Sequence, residues 1–128
     1  MKSPYTGISR IIHAFQYSFD GLVAVFKSES AFRQDILLCL IAIILQFFID
    51  VPALHRLLMI LSLVFIIIAE LINTAIETII DRISPEQNKL SKKAKDIGSA
   101  IVMLTIVSVI ILWVTLILIA KPQIPHIF

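Results

Sequence analysis

Four polar side chains in one short run pose the chemical question. In "AELINTAIETIIDRI", Ala69 to Ile83, the residues Glu70, Asn73, Glu77 and Asp81 follow the apolar run "LLMILSLVFIIIA". At 100° per residue they fall at about 0°, 300°, 340° and 20° around a helix, forming one polar stripe on a lipid-soluble rod. An ionisable group inside a membrane span costs about 2.5 to 3.5 kcal/mol on insertion scales. Three tasks would justify that cost. The stripe could join helices through interhelical hydrogen bonds, although Asn or Ser would do so without charge. It could pass protons or cations, as in a small transporter subunit. It could also perform chemistry at the bilayer surface, a deep carboxylate accepting the proton of a lipid hydroxyl while a shallower one holds a divalent cation with its nucleotide phosphates. Magnesium suits the last task, because it takes one or two protein carboxylates and completes its shell with phosphate and water oxygens.

The charges that follow the stripe bear on that choice. Lys92, Lys93 and Lys95 in "LSKKAKD" would attract a polyphosphate, and they also serve as a topogenic cluster drawn to anionic lipid. With the helix running from outside to inside, Glu70 lies deepest and Glu77 about 10 Å nearer the cytoplasm, where nucleotide is available. This favours phosphoryl chemistry over ion passage.

The elements that must position these groups are membrane helices. The chain has 128 residues, 59% of them hydrophobic, against about 45 to 50% in a soluble globular domain. The expected architecture is a single all-α membrane domain over residues 1–128. It comprises an amphipathic surface helix over 7–28, spans over 32–52, 57–82 and 97–120, and a cytoplasmic connection over 83–96. In the first segment Ile8, Ile11, Ile12, Phe15, Phe19, Leu22, Val23 and Phe26 share one helical face, as in a helix lying in the headgroup region. It lacks the continuous apolar core of a signal peptide. The first span is short in its continuous apolar part, "ILLCLIAIILQFFI", but Phe32 and Val51 to Leu54 extend it. Pro85 ends the second helix, and Ser91 is placed to cap the next.

Orientation follows from the cations. Lys2, Arg10, Lys27 and Arg33 precede the first span, and Arg82, Lys89, Lys92, Lys93 and Lys95 flank or fill the second connection, against Arg56 and Lys121 on the other side. The positive-inside rule then makes the N-terminus cytoplasmic and the C-terminus periplasmic. Three spans fit that parity.

No "GxxxxGK[ST]", "HRD" or "DFG" occurs, which excludes P-loop and protein-kinase sites. His13, His55 and His126 lack metal-ligand spacing and read as interfacial or structural. Cys39 reads as a small buried hydrophobe, and Tyr5 and Trp113 as interface or span aromatics.

Several blocks together resemble the small prokaryotic integral-membrane diacylglycerol kinases: "TGISRIIHAFQYSFDGL", "ESAFRQD", "AELINTAIETIIDRIS" and "LSKKAKDIGSAIV". They cover most of Thr6 to Val102. "AFRQ" after Glu29 looks like the diacylglycerol branch rather than the related undecaprenol kinases. The resemblance implies a homotrimer in the bacterial inner membrane with sites shared between neighbouring chains. It implies transfer of the γ-phosphoryl group of ATP to diacylglycerol with magnesium as cofactor, and no nucleic-acid partner. By similarity Glu70 is the general base, supported by Asn73, and Glu29 and Glu77 hold the metal. Arg10, Tyr17, Glu29, Glu77, Glu86, Gln87, Asn88, Lys95 and Asp96 would contact ATP. The lipid would border Arg10, the run Ala14, Phe15, Gln16, Tyr17, Ser18 and Phe19, the run Ala31, Phe32, Arg33, Gln34 and Asp35, and also Asp50, Arg56, Glu70, Ser99 and Trp113. Two places depart from the family pattern: Asp35 stands where Glu is usual, and "SPEQNK" differs from the usual connection. An undecaprenol kinase and a non-enzymatic ion-conducting or assembly subunit are the alternative readings.

Overall fold

The computed structural model describes residues 4–121, and Lys2, His126 and the chain beyond Lys121 lie outside them. Four helices follow in order: α1, Gly7–Ser28; α2, Ser30–Gln46; α3, Ala53–Ile83; and α4, Lys89–Ala120. No strand occurs among the described residues.

The apolar period of the first segment matches α1 at both ends. The chain turns at Glu29, which is extended at φ −114° and ψ 108°, so the helix cannot continue through it. Arg33 braces this corner. Its Nη1 donates to the carbonyls of Phe26 at 2.7 Å and Lys27 at 3.1 Å, satisfying acceptors that the end of α1 leaves open. No residue of α1 is buried, and Ile8, Phe15 and Phe19 are 77%, 74% and 67% exposed. The apolar face of α1 therefore has no cover within one chain.

The helical part of α2 is 17 residues, starting earlier and stopping sooner than the expected 32–52 segment. The stop has a visible cause. Successive bonds from Phe47, Phe48 and Ile49 back to Ile44, Leu45 and Gln46 tighten the chain into a turn. Arg56 then donates to the carbonyls of Gln46 and Ile49 and stacks over the Phe47 ring at 5.0 Å. An arginine placed by similarity beside lipid thus also clasps the α2–α3 turn.

Helices α3 and α4 form the main packed pair. Met59, Leu63, Ala69 and Val109 are buried between them or against α2. Trp113 pins the pair, its Nε1 donating to Ser62 Oγ at 2.8 Å and to the Met59 carbonyl at 3.2 Å. His55 Nδ1 donates to the Leu116 carbonyl at 3.2 Å, a structural use of that imidazole. Both helices are long and apolar enough to cross a membrane, with mean hydropathies of 2.4 and 3.0 in their most apolar windows. Only 28% and 11% of those windows are buried within the chain, so most of their apolar surface faces outward. An outward apolar surface of this extent belongs to a membrane protein.

The second connection differs from expectation. Helix α4 begins at Lys89 rather than near Ile97, and its cap is Asn88, not Ser91: Asn88 Oδ1 accepts the Leu90 amide at 2.8 Å. The loop proper is only Ser84 to Asn88, and the lysine-rich run forms the first turns of α4.

Candidate active site

The stripe on α3 survives as one face. Asn73 Nδ2 donates to Glu77 Oε1 at 3.3 Å, one turn away on the same helix. The Asp35 carboxyl, from α2, lies within hydrogen-bond reach of Glu70, and the charges of Glu77 and Glu29 also act on Glu70. Four carboxylates from the α1–α2 corner, α2 and α3 therefore share one neighbourhood within a single chain. Glu29 occupies the N-cap position of α2 and its side chain makes no capping bond. Among the described residues no group of three or more His, Cys, Asp or Glu closes into a ready-made metal cage.

Three recesses distribute the expected site residues. Glu70, Asn73 and Ser99 line a cleft of about 430 Å³ between α3 and α4, with Val102, Met103, Ile106 and Val107 as its apolar wall. At the Lys89 end of α4 a larger recess of about 620 Å³ gathers Glu86, Gln87, Asn88, Lys95 and Asp96. The third, a groove of about 450 Å³, is walled by apolar side chains of α2, α3 and α4, and includes both Asp35 and Trp113. The second recess carries both signs of charge, with Asp81, Glu86 and Asp96 beside Lys89, Lys92 and Lys95, and the third is almost wholly apolar.

The electrostatics of the second recess rest on one cross-helix pair. Lys95 Nζ donates to Asp81 Oδ1 at 2.6 Å, joining α4 to the last turns of α3. That hydrogen bond, with the Asp81 and Glu77 charges, holds the Lys95 ammonium above the usual lysine range. Lys92 pairs with Asp96 at 2.6 Å one turn on, so both lysines are matched to a carboxylate. Asp81 lines this recess and was part of the stripe, but its link to Lys95 was not anticipated. The available signal was its place on the polar face just before a short turn.

Other expected residues lie apart from these recesses in the single chain. Arg10 and Tyr17 make no polar contact with α3 or α4 among the described residues, and Ser18 Oγ donates only to the Ala14 carbonyl of its own helix. Ala14, Phe15, Gln16 and Phe19 are likewise on the exposed α1. Ala31 and Gln34 ride on the first turns of α2, where Phe32 is buried. Asp50 sits beyond the α2–α3 turn, remote in sequence and depth from the stripe.

The geometry is that of a small all-helical membrane protein with carboxylates on one face of α3 and lysines in the first turns of α4. The chain matches the family model of prokaryotic diacylglycerol kinase over residues 16–117. It is 42% identical over 113 residues to a diacylglycerol kinase of Escherichia coli strain K12, covering 88% of this chain and 93% of that protein. The diacylglycerol kinase of Pseudomonas aeruginosa matches at 42% over 113 residues, 88% of this chain and 92% of the relative. That of Haemophilus influenzae matches at 42% over 108 residues, 84% and 92%. The chain belongs to the prokaryotic diacylglycerol kinase family.

Proposed function

We propose that this protein is a diacylglycerol kinase of the bacterial inner membrane, transferring the γ-phosphoryl group of ATP to diacylglycerol and yielding phosphatidic acid. The observation that carries the reading is family membership across nearly the whole chain, in relatives that bear that activity. The geometry supports a mechanism. Glu70 opens onto the cleft between α3 and α4 and serves as the general base on the lipid hydroxyl. Asn73 orders the Glu77 carboxylate. Glu29 and Glu77 would hold magnesium, which supplies charge neutralisation on the β- and γ-phosphates. Glu86, Gln87, Asn88, Lys95 and Asp96 cradle the nucleotide in the recess at the start of α4. Asp35 and Trp113 border the acyl chains in the apolar groove. Positioning and charge suffice for phosphoryl transfer, so a large catalytic domain is unnecessary.

In this reading the whole chain is one kinase domain with three spans, α2, α3 and α4, its N-terminus cytoplasmic and its C-terminus periplasmic. It assembles as a homotrimer. The uncovered apolar face of α1 and the recesses open along α3 and α4 support an assembly in which Arg10, Tyr17 and Ala14 to Phe19 complete a neighbour's site. The test is ATP consumption by purified protein in mixed micelles, with diacylglycerol compared against undecaprenol. Turnover that depends on diacylglycerol is expected. Turnover with undecaprenol alone would reassign the acceptor, and none with either would remove the kinase reading.

A further inference from the structure

The two ends of the Asn73 carboxamide meet unequal surroundings. Nδ2 donates to Glu77, whereas Oδ1 is buried with no hydrogen-bond partner. A carboxylate only accepts, so the amide nitrogen must face Glu77 and the oxygen must turn away. Where it turns, α4 passes at Gly98, which is itself buried. A Cβ built on Gly98 would collide with Asn73 Oδ1, and it would also lie 3.4 Å from Asn73 Cγ and 3.5 Å from Ile76 Cδ1. The carboxamide oxygen thus occupies the volume that any other residue would fill.

Backbone conformation does not explain this glycine. Among the described glycines only Gly7 has a positive φ, and Gly98 lies inside a regular helix. A mid-helix glycine is unfavourable by about 0.5 to 1 kcal/mol relative to alanine. Gly21 in α1 offers the contrast, since a Cβ there meets nothing within 4 Å.

We propose that Gly98 is a positioning residue for phosphoryl transfer: its missing side chain lets α4 approach closely enough to hold the Asn73 carboxamide with its nitrogen toward Glu77. The proposal rests on the reading of Asn73 and Glu77 as site residues. With a methyl group at this position, either the carboxamide leaves its rotamer and takes its donor away from Glu77, or α4 withdraws from α3 and no longer holds the carboxamide in place.

The test is a double-mutant cycle on the purified enzyme in mixed micelles, with Gly98→Ala, Asn73→Ala and the double variant, and Gly21→Ala as the control for adding a methyl to a helix. Gly98→Ala should lower kcat about tenfold or more and raise the magnesium needed for half-maximal rate several-fold, with KM for diacylglycerol within about twofold of native. In the Asn73→Ala background the same change should cost less than about twofold, because its collision partner is gone. Thermal unfolding provides a parallel cycle that needs no activity. Gly98→Ala should lower the midpoint when Asn73 is present and not when it is absent. Unchanged kcat in Gly98→Ala, or equal losses with and without Asn73 in the cycle that can be read, would overturn the proposal. Normal turnover in Asn73→Ala alone would overturn the underlying site reading instead, and the thermal cycle separates the two failures.

Discussion

Replacing Glu70 by Gln removes a proton acceptor while changing little else in its surroundings. The carboxyl of Asp35 stands within hydrogen-bond reach of Glu70, and the amide of a glutamine can donate to it, so the local packing is kept. Glu70 lies in the α3–α4 cleft and outside the recess lined by Glu86 to Asn88 and Lys95, so nucleotide contacts should be untouched. Loss of a general base costs about 10²- to 10⁴-fold, or about 2.7 to 5.4 kcal/mol of transition-state stabilisation. Glu70→Asp keeps the charge but withdraws it by one methylene, about 1.5 Å, and misplacements near 1 Å reach about 10²-fold. Asp should retain more activity than Gln, because its carboxylate can still accept the proton. The assay is turnover against diacylglycerol in mixed micelles, beside an ATP-binding titration on the same preparations. Normal turnover in the Gln variant, or loss of ATP binding in proportion to activity, would refute the base assignment.

Glu77→Gln should raise the magnesium concentration for half-maximal rate about tenfold or more, because a neutral amide is a poor ligand for a hard cation; an unchanged magnesium titration would show that Glu77 is no metal ligand. The Lys95 ammonium is held above its usual range by Asp81, so the pair's contribution is fully present below the ordinary lysine pKa and is lost as pH rises through the raised value. Asp81→Asn should accordingly move the alkaline limb of the pH–activity profile to lower pH, and a limb that stayed in place would remove Lys95 from nucleotide binding. In a Cys39→Ala background, Lys93→Cys should react with membrane-impermeant reagents from the cytoplasmic side only. Labelling from outside would reverse the topology and the proposed ATP access.

What could be read from the sequence was local. The bounds of α1 follow from an apolar period that needs no partner, and the Glu70–Asn73–Glu77–Asp81 stripe follows from positions on one helix. The end of α2 could not be read, because an apolar run continues through Phe47 to Ile49 and only the tertiary clasp of Arg56 marks the turn. The start of α4 was hidden for the opposite reason. Its first turns are polar and project from the bundle, so no apolar period announces them, and Asn88 and Ser91 are equally plausible caps by type. Contacts between helices left no trace at all. The Lys95–Asp81 pair and the fit of Gly98 against Asn73 each depend on how α3 and α4 are registered, a matter of packing across the bundle.

The most direct measurement follows the phosphoryl group itself. Purified protein in diacylglycerol-containing micelles, supplied with magnesium and ATP labelled at the γ-phosphate, should place the label in phosphatidic acid, and the Glu70→Gln variant should slow that transfer about 10²-fold or more. Label released only as inorganic phosphate, or phosphatidic acid formed equally fast without Glu70, would contradict a lipid kinase built on the α3 carboxylates.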